Sequence, residues 1–160
     1  ASNNANNVVE RYYKTNTYSP LPSIQTISNA MDVGNPSNFI RIQKLYDNDF
    51  EALKNNLSAY SFSDEQTKEA LSAIYEGSGY IADPHGAVGY LGCKSYREKN
   101  PAAQTIFLET AHPTKFLDVV EAVVPEKIAL PPQIQAVIEK EKSALFVEDY
   151  SQFKTFLLKF

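Results

Sequence analysis

At 160 residues the chain is long enough for one domain with a real core, able to bury roughly two thirds of the surface its unfolded form exposes. Hydrophobic residues at 43% and charged residues at 21% exclude a disordered chain, and a net charge of -4 spread over both halves excludes a basic surface for nucleic acid. Cys93 is the single cysteine, which excludes an intrachain disulfide.

The elements follow in chain order. Asn6 and Asn7 can cap a first helix carrying Val8, Val9, Tyr12 and Tyr13 at helical spacing, broken over Thr15 to Pro22. Gly34-Asn35-Pro36 is a turn grouping, followed by Ser37 or Asn38 as the cap of a helix with Phe39, Ile42 and Leu45. A short helix is expected over Asp49 to Leu57. Ser63 and Gln66 have capping-box spacing ahead of Leu71, Ile74 and Tyr75, with Gly77 as the stop. Tyr80 to Ala82 reads as a short buried strand. Asp83 then caps a helix with Pro84 in its first position, running to about Arg97.

Thr105 to Leu108 reads as a second buried strand, and His112-Pro113 as a turn. Phe116, Val119, Val120 and Val123 stripe the next helix, which Pro125 ends. Pro131-Pro132 opens a helix through Ile134, Val137 and Ile138. Ala144 to Val147 has strand character, and a final helix carries Tyr150, Phe153, Phe156, Leu157 and Phe160. Helices alternating with short apolar strands indicate an α/β fold, with residues 1–160 expected to form a single domain.

The longest uninterrupted apolar run, Ala144 to Val147, falls far short of the ~20 residues of a membrane span, and the polar start is no signal peptide. No membrane association is expected, and the cytoplasm is the expected location. The start without methionine, close to a helical pattern, leads us to expect a piece of a longer protein.

Three segments leave an extended stretch and enter a helix, where open α/β sheets place their ligands. They are Asp32 to Asn38, Asp83 to Gly89 and Glu109 to Lys115. Within the second, Gly86, Gly89 and Gly92 fall three apart in one helix, and each costs about 0.8 to 1 kcal/mol relative to alanine. A close neighbour must compensate for them, whether a strand, another helix or a flat ligand. His85, in the first turn of that helix, should be neutral or exposed, because an imidazolium would face the positive end of the dipole. Two isolated histidines and one cysteine do not suggest a metal site, and none is expected. No nucleophile elbow frames Ser37, His85 or Cys93. Thr110 either presents its hydroxyl to a crevice at a strand end or caps the following turn. From the residues alone, Gly34-Asn35-Pro36 reads first as an ordinary turn.

In order and spacing, Ile27 to Gly34, Asp83 to Val88 and Thr110 to Phe116 resemble threonine synthase of the longer bacterial and fungal branch. The resemblance implies the large domain of a fold type II enzyme, like the tryptophan synthase β chain, that uses pyridoxal phosphate. It also implies conversion of O-phospho-L-homoserine and water to L-threonine and phosphate. By the same likeness Thr110 meets the pyridine nitrogen, His85 stands near the ring, and Gly34 and Asn35 line ring and substrate, Asn35 on the substrate side.

The family's Schiff-base lysine, in a Phe-Lys-Asp context, and its Gly-Asn-Phe-Gly phosphate loop do not occur here. Lys115 and Lys154 lie in other contexts. The resemblance therefore implies a C-terminal part that is inert alone and needs the remainder of its own chain as partner. The alternative from the residues is a non-catalytic α/β module that binds a small anion at helix N-termini such as the one at Pro84.

Overall fold

A computed structural model describes residues 1–159. It contains one pair of short parallel strands, β1 (Ser2–Asn3) and β2 (Tyr60–Ser61), and eight α-helices among the described residues. The helices are α1 (Val8–Thr15), α2 (Phe39–Leu45), α3 (Phe50–Asn56), α4 (Asp64–Ser78), α5 (Pro84–Lys99), α6 (Leu117–Val120), α7 (Pro132–Gln135) and α8 (Tyr150–Leu157). Two 3-10 turns, Asn29–Met31 and Pro113–Phe116, stand between them. The chain divides into two compact units, Ala1–Ile128 and the residues from Ala129 on.

Local capping chemistry places the helices of the first unit. The Ser63 hydroxyl accepts the Gln66 N–H, and the Gln66 side chain accepts the Ser63 N–H, which satisfies two otherwise orphaned donors at the start of α4. The helix passes Gly77 and ends at Gly79, where φ is +70. The stop falls two residues later than the sequence suggests, because Gly79 takes the left-handed conformation that closes a helix. Asp49 caps α3 by accepting the Ala52 N–H. The expected cap at Asn7 makes no side-chain bond.

Helices α4 and α5 pack through Ala70, Leu71 and Ile74 against Ala82 and Ala87. Tyr12, Phe39 and Leu53 build a second cluster, in which the Tyr12 and Phe39 rings meet edge to face at 5.2 Å. Phe116, Val120 and Val124 form a third.

The strands expected at Tyr80 to Ala82, Thr105 to Leu108 and Ala144 to Val147 are not strands in the structure. A strand exists only by pairing, and no neighbour among the described residues offers these segments a ladder. Nor are the second and third buried: Ile106 is 90% exposed and Phe146 88%. Apolar content predicted burial, but burial needs a covering layer. The helix expected from Pro131 through Ile138 closes after Gln135 and continues as turns. Phe160, expected in the final helix, lies outside the described residues. In the second unit no described residue is buried.

The glycine face of α5 has a clear explanation. A Cβ at Gly89 would press on Phe107 at 3.3 Å, one at Gly92 would overlap the Ser2 hydroxyl, and one at Gly86 would overlap the Glu109 carboxyl group. Among the described residues it is therefore an extended stretch and β1 that approach the helix so closely.

Gly34 is buried beneath the loop before it, where a Cβ would overlap the Leu21 carbonyl oxygen. That carbonyl is backbone, tied down as the Leu21 N–H donates to the Gly34 carbonyl at 3.3 Å and the Gly34 N–H donates to the Ser23 hydroxyl at 2.8 Å. Gly34→Ala is expected to destabilise the protein by about 1–3 kcal/mol, the usual scale of overpacking. Chemical denaturation measures this, and an unchanged midpoint would refute the packing argument.

Candidate functional site

The site is assembled at the N-terminus of α5, where Asp83 is fully buried. Its Oδ1 accepts the His85 N–H at 2.7 Å, which caps the helix, and also contacts His85 Nδ1 at 2.5 Å. His85 Nε2 accepts the Ala30 N–H at 3.2 Å. An acceptor at Nε2 and a carboxylate at Nδ1 define one neutral tautomer, with the proton on Nδ1 donated to Asp83. Of the two states expected at the positive end of the helix, neutral or exposed, the ring takes the neutral one and is held there by two partners. The Phe116 ring closes on it edge-on at 4.8 Å.

Ala30 is in place because a buried polar network fixes its loop to the start of the chain. Asn4 Nδ2 shares its two hydrogens among Thr26 Oγ1 at 2.8 Å, Ser28 Oγ at 3.0 Å and Asp32 Oδ1 at 2.9 Å. Asn6 Nδ2 donates to the Ile24 carbonyl at 2.9 Å, and its Oδ1 accepts the Ile24 N–H at the same distance. Every donor and acceptor so paired escapes the cost of burial without a partner.

His85 and Thr110 line one cavity of about 330 Å³ with Asn29, Ala30, Lys115 and Phe116. Thr110 is exposed at its edge, and its hydroxyl has no hydrogen-bond partner among the described residues. The cap of the following 3-10 turn is His112, whose Nδ1 accepts the Thr114 N–H at 3.2 Å. The capping role open to Thr110 in the sequence is therefore filled by another residue.

Gly34 does not join this cavity. It lines a separate small one with Asn6, Arg11, Leu21, Pro22 and Ile24. Asn35 is exposed, and its Oδ1 accepts the Tyr18 hydroxyl at 3.0 Å.

Glu109 opens the third candidate segment, but its sequence context assigns it no role. Its Oε1 accepts the Asp83 N–H at 3.1 Å, while its Oε2 and Asp83 Oδ2 are buried with no hydrogen-bond partner among the described residues. Burial, first, and then the side-chain hydrogen bond and charge of Asp83 push the Glu109 carboxyl up to about 8, against the lowering effect of the Asp83 N–H. Burial would raise the Asp83 carboxyl too. Hydrogen bonds from the His85 ring, the Glu109 carboxyl and the His85 N–H overcome it and hold Asp83 well below the usual carboxylate range. The signal for Glu109 lay in Gly86, whose missing side chain makes room for the carboxyl group.

The donor set suits a flat heteroaromatic ligand: a hydroxyl with its hydrogen-bonding capacity unspent, a neutral imidazole and an open cavity between them. Among the described residues no helix is long and apolar enough to cross a membrane.

A family model described as threonine synthase, C-terminal, matches residues 86–157. The threonine synthase of Buchnera aphidicola (subsp. Acyrthosiphon pisum) is 36% identical over 159 residues, covering 99% of this chain and 36% of that protein. The Escherichia coli enzyme is 36% identical over 134 residues, covering 84% of this chain and 30% of its own length. The chain thus spans about a third of the length of the curated relatives it matches. The crystal structure of the Escherichia coli threonine synthase superposes with a TM-score of 0.85 at 31% identity, covering 99% of this chain and 36% of that one. A PLP-bound threonine synthase from Brucella melitensis superposes at 0.66 with 26% identity, covering 89% and 35%. The fold class is that of these enzymes, helical α/β with few strands.

Proposed function

Since this chain belongs to the threonine synthase family and matches its C-terminal part, we infer that it supplies one wall of a pyridoxal-phosphate site and not the reacting lysine. The whole protein converts O-phospho-L-homoserine and water to L-threonine and phosphate in the cytoplasm, with the remainder of its chain providing the Schiff-base lysine and the phosphate loop. The observation that carries this reading is the meeting of His85 and Thr110, from segments 25 residues apart, in one cavity with the Thr110 hydroxyl unspent.

In this reading Thr110 donates to or accepts from the pyridine nitrogen. A hydroxyl, unlike a carboxylate, does not require that nitrogen to be protonated. His85, locked as the neutral tautomer, lies along the ring without adding a charge. The cofactor, when bound, supplies the electron sink for the replacement at the β and γ carbons. Asn35 takes the substrate side on the motif alone, and Gly34 supports its turn. The extended stretch Thr105 to Leu108, with its backbone unpaired among the described residues and Ile106 exposed, receives neighbouring strands from the rest of the enzyme.

The anion-binding alternative loses ground at α5. The Asp83 carboxylate already occupies that helix N-terminus, and a second negative charge there would be repelled.

Phosphate release from O-phosphohomoserine tests the proposal. The full-length protein with pyridoxal phosphate is expected to turn over, and the 160-residue chain alone to release nothing. Turnover by the chain alone would overturn the division of labour, and an inactive full-length protein would overturn the assigned reaction.

A further inference from the structure

Glu109 ends the extended stretch one residue before Thr110, yet its side chain turns in against α5. There its Oε1 accepts the Asp83 N–H, while Glu109 Oε2 and Asp83 Oδ2 are both buried and without a hydrogen-bond partner among the described residues. Two ionised carboxylates cannot share such a place, because each would raise the energy of the other's charge. One proton between them converts both orphaned oxygens into a donor and an acceptor. The position is built for this: Gly86 leaves the space and the Asp83 N–H fixes Glu109 Oε1 at 3.1 Å.

We propose that Glu109 is a positioning residue that holds one proton between itself and Asp83, so that Asp83 keeps its other oxygen on His85 and fixes the ring at the Thr110 cavity. Only its consequence for the cofactor rests on the function proposed above. The proton itself stands on the geometry of Asp83, Gly86 and Glu109.

The groups facing this pair are His85 from α5 and Tyr80 from the stretch leading into it, whose phenol is raised by burial first and then by the charges of Glu109 and Asp83. Glu109 is shifted up from 4.5 to about 8 on folding. Its stabilising contribution is therefore complete below about pH 4.5 and is lost as pH rises through about 8. Asp83 is shifted down from 3.8, so its contribution is present above that value and is lost as pH falls further. Between these limits, raising the pH weakens the pair.

Infrared spectroscopy of the full-length protein reads the proton without reference to turnover. At about pH 6, where ordinary carboxyl groups are ionised, wild type should show the stretch of a neutral carboxyl group that disappears above about pH 8. Glu109→Gln should remove this band. The glutamine amide donates to Asp83 at every pH, so the unfolding temperature of the variant should gain on wild type steadily from about pH 5 to 8. Should that variant not fold, Asp83→Asn gives the same spectral readout, because its amide replaces the shared proton. Absence of the band in wild type, its survival in Glu109→Gln or Asp83→Asn, or parallel pH curves for wild type and Glu109→Gln would each overturn the proposal. These readouts stand apart from phosphate release, so failure of the assigned reaction would be seen separately.

Discussion

Replacing Thr110 with valine in the full-length protein should weaken pyridoxal-phosphate binding, slow turnover, or both, by roughly five- to 150-fold. That range corresponds to the loss of about 1 to 3 kcal/mol when a buried polar partner is left without its hydrogen bond. Valine keeps the shape and removes only the hydroxyl. Fold stability should change little, because Thr110 is exposed and its hydroxyl bonds to nothing among the described residues. The competing role as a turn cap predicts the reverse, a less stable protein with normal turnover per folded molecule. The structure already gives that cap to His112. Serine at the same position should restore most of the loss. Cofactor titration, phosphate release and thermal unfolding on one preparation separate the two roles, and unchanged affinity and turnover in the valine variant would end the case for Thr110.

Asp83→Ala should have the largest effect on the fold of the site. Three duties converge on this side chain: it caps α5, anchors His85 Nδ1 and faces Glu109. Loss of the cap alone costs about 1 kcal/mol, and leaving buried donors without an acceptor adds about 1 to 3 kcal/mol. A total of about 2–4 kcal/mol is expected, with the His85 ring released from its single tautomer. Asp83→Asn should cost much less, because its Oδ1 still caps the helix and its amide can donate to Glu109. Denaturation of the full-length variants measures both. Equal losses in the two would contradict the account, since it assigns most of the cost to the missing oxygen.

The sequence was most legible where the chemistry is local. Ser63 with Gln66, Asp49, and Asp83 ahead of Pro84 all carry their instructions within four residues, and each appears as a side-chain cap in the structure. The extended segments were misread for the opposite reason. Nothing in Thr105 to Leu108 tells an apolar strand in a sheet from the same residues lying unpaired, because the ladder belongs to whatever lies alongside. At the site, the motifs drew attention to Asp83 to Gly89 and Thr110 to Phe116, from which His85 and Thr110 line one cavity, and the glycine spacing announced a close neighbour. It could not name Phe107, Ser2 and Glu109 as those neighbours. Glu109 acquires its character only through burial against Gly86 and Asp83, 26 residues away in sequence. Gly34, which the resemblance sets along the ring, lines a different cavity from His85 and Thr110 and is packed against its own loop, a placement that sequence spacing alone does not reveal.

The most direct test of the central claim is a crystal structure of the full-length protein with pyridoxal phosphate bound. The account predicts the Thr110 hydroxyl within hydrogen-bonding distance of the pyridine nitrogen, about 2.7 to 3.2 Å, with His85 beside the ring and the Schiff-base lysine contributed from outside the residues described here. A ring nitrogen met by any other side chain, or a cofactor seated away from the cavity that His85 and Thr110 share, would contradict it.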